Sequence, residues 1–267
     1  MTTLSSARSL FSSTFSLVFS PPKHTLKNKF PSLSSIKPYS QSSIKMSSTT
    51  IEHIVLFKVK DNTDPTKINT MLTSLNALVS LDPVLHLSAG QLHRVKSSPI
   101  PFTHVLHSRY SSKDNLNAYS AHPSHVSVVK EHVLPVCDDI MAVDWIADDL
   151  DGPLVPSPCS AIRLTFLKLK ENLGEEVKNE ILSVIKSIKS SFGGNIIKQI
   201  SCGENFSPAR AKGYSIASIA VFDGLSEMET VDSNEEIVNL QKEKVRDYLE
   251  SVIVIDYVVP NPQSASL

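Results

Sequence analysis

Nine histidines occur in this chain of 267 residues, and three of them fall within eleven positions of the stretch AYSAHPSHVSVVKEHV, residues 118–133. Three readings fit such a cluster: proton transfer by an imidazole working near neutral pH, metal ligation, or nothing beyond a polar helix start. Pro123 suits the first turn of a helix, where its missing N–H would be unpaired in any case. His122, just before it, is pushed out of helical geometry toward a rim. In the helix that follows, Val126, Val129 and Val133 repeat at i, i+3 and i+7 and are expected to face the core. His125 stands at the edge of that stripe, where partial burial can move its pKa and select a partner.

Metal ligation has less in its favour. The proline holds His122 outside the helix that carries His125, and no carboxylate of obvious ligand spacing stands near. His86, His93, His104 and His107 belong to two predicted strands, and alternation along THVLH sends His104 and His107 to opposite faces. Cys137, Cys159 and Cys202 are odd in number and far apart, with no C-x-x-C pair, which reads as inert thiols in a reducing compartment. No G-x-G-x-x-G, P-loop or G-x-S-x-G is present, so nucleotide binding and serine hydrolysis have no support. Arg210 and Lys212, in NFSPARAKGY, read as a small basic patch on a solvated loop.

The elements that must position these groups occur twice. HIVLFKVKDN (53–62) resembles RLTFLKLKEN (163–172), KEHV (130–133) matches KEKV (242–245), and VDW (143–145) matches IDY (255–257). Gly90 falls opposite Gly203 within one residue. Landmarks in the same order at nearly one offset mark a duplicated domain. Each copy reads as strand (51–60; 160–170), helix, two strands (84–95 and 102–111; 196–202 and 213–222), a helical region (113–135; 226–250) and a last strand (139–147; 251–259). Asp64 caps the first helix, with Pro65 at its first position. In the second copy Val177, Ile181, Val184, Ile185 and Ile188 are in helical phase, with Gly193–Gly194 as the stop.

The fold class is therefore α+β: two tandem ferredoxin-like β-α-β-β-α-β units pairing into a dimeric-type α/β barrel. Strands such as HIVLFKV and SVIVIDYVV are apolar on both faces and need cover on both. Packing the two sheets face to face supplies it. The expected organisation is a transit peptide or disordered tail at 1–45, a first domain at 51–147, a linker at 148–159, a second and degenerate domain at 160–259, and a C-terminal tail at 260–267.

On HIVLFKVKD, THV, AYSAHPSHV and VDW, the chain resembles the stress-responsive dimeric α/β-barrel family, Dabb, as a tandem two-domain plant member. Most members are single domains that dimerise, so a tandem version looks like a fused pair. The first copy also resembles the member olivetolic acid cyclase. That resemblance implies His125 as a general base taking a proton from a poly-β-ketone carbon, Tyr119 as a hydrogen-bond donor to the enolate, and His53 as an orienting group. No cofactor is implied, apart from a Mg²⁺-like cation that some relatives hold on main-chain carbonyls at the end of the first helix. The matching carbonyls here are those of Leu75, Leu78, Leu81 and Val84.

The second copy acts as a control. At spacing 112 from Tyr119, His122, Pro123 and His125 stand Val231, Asn234, Glu235 and Ile237; Arg163 stands opposite His53; and no histidine follows His132. The framework motifs persist there while the polar motif is gone, so a single site per chain is expected.

The ends suggest an address. Residues 1–45 carry six basic residues, no acid and many serines, the composition of a plastid transit peptide. The C-terminal Ala265-Ser266-Leu267 is a weakened peroxisomal tripeptide, the alternative address if translation starts at Met46. From Glu52 onward 27 acids face 20 basic residues, a net of about −7, which argues against nucleic acid or an anionic membrane as partner. No apolar run approaches membrane-spanning length. The expected partners are the protein itself, by intrachain pairing of the repeats or as a homodimer, and a small hydrophobic ligand. The leading expectation is a non-enzymatic stress-response protein acting through stability, self-association or small-ligand binding. The alternative is a cyclase- or lyase-type enzyme with a histidine base. A cavity of a few hundred Å³ reached by His125 and Tyr119 would mark an enzyme or ligand carrier. A filled barrel, with His125 bonded to main chain, would mark a structural motif.

Overall fold

The computed structural model describes residues 49–148 and 150–261. The leader, Met46 and the C-terminal tripeptide lie outside the described residues. The first copy runs β1 (Thr50–Val59), α1 (Pro65–Ala77), β2 (His86–Ser97), β3 (His104–Tyr110), α2 (Lys113–Ala121), α3 (Pro123–Val128) and β4 (Cys137–Ala147). The second runs β5 (Ala161–Leu169), α4 (Glu175–Ser191), β6 (Gln199–Glu204), β7 (Ile216–Phe222), α5 (Leu225–Ser233), α6 (Glu235–Arg246) and β8 (Leu249–Val258).

Local chemistry sets the boundaries. Asp64 accepts from the Thr66 amide at 2.8 Å with Pro65 in the first turn, as the sequence indicates. The K-x-K-acid-Asn signature ends β1 and β5 because Asn62 and Asn172 both adopt the left-handed conformation, φ 60° and 62°, which asparagine tolerates well. Gly193 and Gly194, each at φ 79°, terminate α4.

The expected packing of two separate sheets is corrected by β2. Its first half, His86–Gln91, pairs with β3, while its second half, from Leu92 to Ser97, pairs antiparallel with β8. One strand too long for its own copy therefore joins both halves into an eight-stranded antiparallel sheet, ordered β4-β1-β3-β2-β8-β5-β7-β6. The two free edges meet, nearly closing a barrel. The Phe206 amide donates to the Asp144 carbonyl at 2.9 Å, and Trp145 Nε1 donates to Ser201 Oγ at 2.9 Å.

Both seams use one device. A Cβ on Gly90 would stand 3.0 Å from Tyr257, and one on Gly203 would stand 2.9 Å from Trp145. Each copy thus gives a glycine to receive the other's last-strand aromatic, which explains why the glycines and the VDW/IDY motifs recur together. The interior is filled by Ile54, Leu56, Trp145, Leu164, Phe166 and Ile253 with their neighbours. Helices cover the outer faces of both copies, leaving the second half of β2 as the exposed stretch of the sheet.

The helical region after β3 departs from the expected stripe. It breaks at His122, and the turn after α3 is a π-helix over Val129–Val133, with Leu134 N bonded to the Val129 carbonyl. One extra residue in that turn rotates the apolar face. Val133 is buried and Val128 packs on the core, whereas Val126 is 50% exposed.

Candidate functional site

The polar motif lies between the first copy's sheet and helices α2 and α3. His122 is a cap: its Nδ1 accepts from the Ser124 amide at 3.2 Å. Asn234 takes the same position in the second copy, accepting from Ile237 N at 3.3 Å. The motif was therefore not wholly lost on duplication, and His122 belongs to the framework.

The structure brings His53, Tyr119 and His125 together. The Tyr119 and His125 ring centroids are 4.6 Å apart, and those of His53 and Tyr119 are 6.5 Å apart. His53 on β1 is bonded through Nδ1 to Asp144 of the neighbouring β4, its register partner. Burial alone would raise the Asp144 carboxyl, but His53, Ser207 and Arg210 hold it below the usual carboxylate range. His125 Nδ1 lies 3.0 Å from the Ser120 carbonyl, which only accepts, so Nδ1 carries the proton and Nε2 the lone pair. Burial pushes the His125 pKa down to about 4 despite that bond, so the ring is neutral at physiological pH. Tyr119 is 1% exposed, its hydroxyl partnered by that of Tyr110. Tyr110 also bonds Ser108 Oγ at 3.0 Å, and burial raises both phenols. Sequence reading missed Asp144, Tyr110 and Ser108. Register was the one signal available for Asp144, since VDW sits opposite HIV on the adjoining strand.

The second copy covers this site. Arg210 and Lys212 are exposed, as expected of a basic patch on a solvated loop, while Asn205 and Phe206 of the same loop pack on the first copy. Asn205 Oδ1 accepts from the Asp144 amide at 3.1 Å, Phe206 lies under Lys113 Nζ at 4.1 Å, and Lys212 pairs with Asp139 at 2.7 Å. Reciprocally, Arg94 of β2 reaches into the second copy. There Arg163, opposite His53, forks onto Asp256 and Asp232, with N–O distances of 2.7–3.0 Å. Arg94 bonds the same two carboxylates at 2.8 and 2.7 Å. His53–Asp144 and Arg163–Asp256 occupy equivalent registers, so a His–Asp pair has become an Arg–Asp pair.

A second polar group was also missed. Glu52, His107 and Arg109 are completely buried inside the barrel. Glu52 Oε2 accepts from His107 Nε2 at 2.7 Å, and Arg109 continues to Gln199 Oε1 at 2.7 Å and the Leu154 carbonyl at 2.7 Å. Burial would raise the Glu52 carboxyl, but Arg109 and His107 bring it down to about 2. Register places Ile162, Ile219 and Val221 at these positions in the second copy. His86 stacks edge-on to His107 at 4.9 Å, and His104, on the other face, bonds Thr103.

The turn after α1 bears on the cation that the resemblance implies. The carbonyls of Leu75, Leu78 and Leu81 each already accept a main-chain N–H, from Leu78, Leu81 and Val84. One lone pair per oxygen remains, so the set offers a cation dipoles without a counter-charge.

By geometry, the first-copy site can hold a neutral imidazole with its Nε2 lone pair available, beside two phenols and a His–Asp pair. It is also tightly packed. The barrel is filled, His125 is bonded to main chain, and a cavity of about 640 Å³ lies on the second copy, lined by none of His53, Tyr119 or His125.

Comparison with known proteins agrees with this architecture. The family model described as Stress responsive A/B Barrel Domain matches residues 51–147 and again 162–259. A stress-response A/B barrel domain-containing protein of Arabidopsis thaliana is 56% identical over 268 residues, covering 97% of this chain and 98% of its own. A second protein of that description from the same plant is 50% identical over 216 residues, covering 80% of this chain and 99% of its own. Among solved structures, an anthrone oxidase-like protein aligns with a TM-score of 0.55 over 81% of this chain and 93% of its own, at 10% identity, a likeness of fold alone.

Proposed function

The chain belongs to the stress-responsive A/B barrel family, and from that premise we propose that it is non-enzymatic and acts through the stability of its single-chain barrel, through self-association or through the binding of a small hydrophobic ligand. The observation that carries this reading is the inward commitment of the motif. His125 is tied to the Ser120 carbonyl, Tyr119 is buried against Tyr110, and Phe206 of the second copy's loop packs on the core cluster that holds both tyrosines. These bonds stabilise the first copy's outer layer. The test is His125→Ala, followed by thermal unfolding and by binding of a fatty-acid probe such as dodecanoate. The reading expects a clear loss of stability with binding unchanged. Unchanged stability with binding lost would sink it.

A second reading is favoured by the protonation of His125. With Nδ1 donating, Nε2 is poised to take a proton from a carbon beside a carbonyl, Tyr119 to donate to the developing enolate, and His53, held by Asp144, to orient. In that case the site must open by displacing the 205–210 loop. Delivery belongs to the same proposal: a plastid through residues 1–45, or a peroxisome through the C-terminal tripeptide after a start at Met46. Fluorescent fusions at either end, with and without the leader, decide between them. Light scattering after refolding at high dilution is expected to give a monomer. A clean dimer under those conditions counts against intrachain closure.

A further inference from the structure

The second copy is open where the corresponding layer of the first copy is packed. Between its sheet and helices α4 and α6 lies a cavity of about 640 Å³, inside the range of small-molecule pockets. Leu167, Ala220 and Val252 form its floor, and Val184, Ile188 and Val245 stand on its walls. In the first copy the corresponding layer is filled by Tyr110, Tyr119, Met71 and Leu75. Val231, the counterpart of Tyr119, lines the cavity, while Ile237, the counterpart of His125, packs against the core cluster that holds Val231. Valine in place of the phenol takes both bulk and polarity from the cavity wall.

The charges around the cavity do not balance. Lys96, Arg163, Lys242 and Arg246 line it, against Asp232 and Glu250, on a chain that is otherwise acidic from residue 52 onward. Arg163 is committed to Asp232 and Asp256, and Lys96 to Asp232. Lys242 is exposed and pairs with no acid among the described residues, whereas Arg246 pairs at the surface with Glu243 at 2.7 Å and with Asp247 at 3.9 Å. The cation without an acid partner, Lys242, therefore sits where the apolar cavity meets water, with Arg246 held only by exposed acids beside it.

We propose that this cavity binds an amphipathic anion, a carboxylate with a long apolar tail, with the tail between α4 and α6 and the head at Lys242 and Arg246. The proposal rests on the small-ligand part of the reading above and assigns that ligand's class and its place. Burial of the tail supplies affinity, and the exposed cations select an anionic head over a neutral one.

The experiment is calorimetric titration of the full chain with dodecanoate and with dodecanol. Val184→Trp fills the cavity from α4 and is expected to weaken both by more than about tenfold; Ile188→Phe serves if that variant fails to fold. Lys242→Glu with Arg246→Glu, both at the surface, is expected to weaken dodecanoate by about tenfold and leave dodecanol unchanged. Dodecanoate binding that survives both filling variants overturns the site, and equal effects of the charge change on both probes overturn the anion assignment. If His125→Ala abolishes binding while the filling variants do not, the ligand belongs to the first copy, and this inference fails while ligand binding itself stands. No binding of either probe overturns the inference together with the ligand part of the reading, leaving the stability role untouched.

Discussion

Replacing Gly203 by alanine adds one carbon at the seam where β6 meets β4. That carbon would stand 2.9 Å from the Ile146 carbonyl oxygen, 2.9 Å from Trp145 Cδ1 and 3.1 Å from Trp145 Cβ. Neither neighbour yields easily. The oxygen belongs to a strand held by the β1 ladder, and the indole is fully buried with its N–H fixed on Ser201 at 2.9 Å. Overpacking costs about 1–3 kcal/mol, and with both obstacles anchored the upper end, about 3 kcal/mol, is expected. Gly90→Ala is the internal comparison. Its added carbon meets the edge of the Tyr257 ring at 3.0 Å and no main-chain atom, so tilting the ring limits the loss to about 1 kcal/mol. Urea unfolding followed by the fluorescence of Trp145, the chain's one tryptophan, reads the seam directly. With a slope of about 2–3 kcal/mol per molar, Gly203→Ala should lower the midpoint by about 1 M and leave the slope unchanged. A loss below about 1 kcal/mol, or one no larger than that of Gly90→Ala, would refute the closure described here.

Two further outcomes follow from the buried polar groups. His125 has a folded pKa of about 4 against an ordinary 6.5, so the unfolded chain takes up its proton more readily. The stability contributed by the neutral ring is present above pH 6.5 and is lost as the pH falls toward 4. Allowing for partial exposure, this amounts to about 2 kcal/mol, and His125→Phe should flatten the acid limb of the stability curve by that much; superimposable curves would reject it. Glu52→Gln keeps the shape but leaves the Arg109 guanidinium buried without a counter-charge, at an expected cost of about 3–5 kcal/mol in thermal unfolding. A loss under about 1 kcal/mol would show that Gln199 and the linker carbonyls satisfy Arg109 by themselves.

The duplication was legible because framework residues are dictated locally. Asn at a left-handed turn, a cap before a proline and an apolar strand read the same in both copies. The sharing of β2 was not legible, because strand length in excess of a partner has no local mark and the choice of β8 depends on residues far along the chain. The candidate site was half legible. Tyr119 and His125 stand close in sequence, and His53 was reached only through the family resemblance. Asp144 looked like framework because its counterpart Asp256 is present too. What differs is the residue across the strand pair, histidine in one copy and arginine in the other. The exposed Val126 shows the same limit from another side, since nothing in the valine spacing announces a π-turn.

The overhang of β2 has a consequence for how the protein is made. Arg94 and its partner Asp256 are 162 positions apart, so half of an early strand waits for the last one to be synthesised. Contacts of such sequence separation form late. Until then the nascent first copy carries two unsatisfied sheet edges, the kind of surface that recruits strands from other molecules. At high chain density the β8 that arrives first can belong to a neighbour, giving an exchanged pair in which each barrel is a composite and every seam contact is retained. Crowding during synthesis or after heat unfolding then selects between a self-closed molecule and an exchanged one, and the assembly recovered carries a memory of the concentration at which it folded.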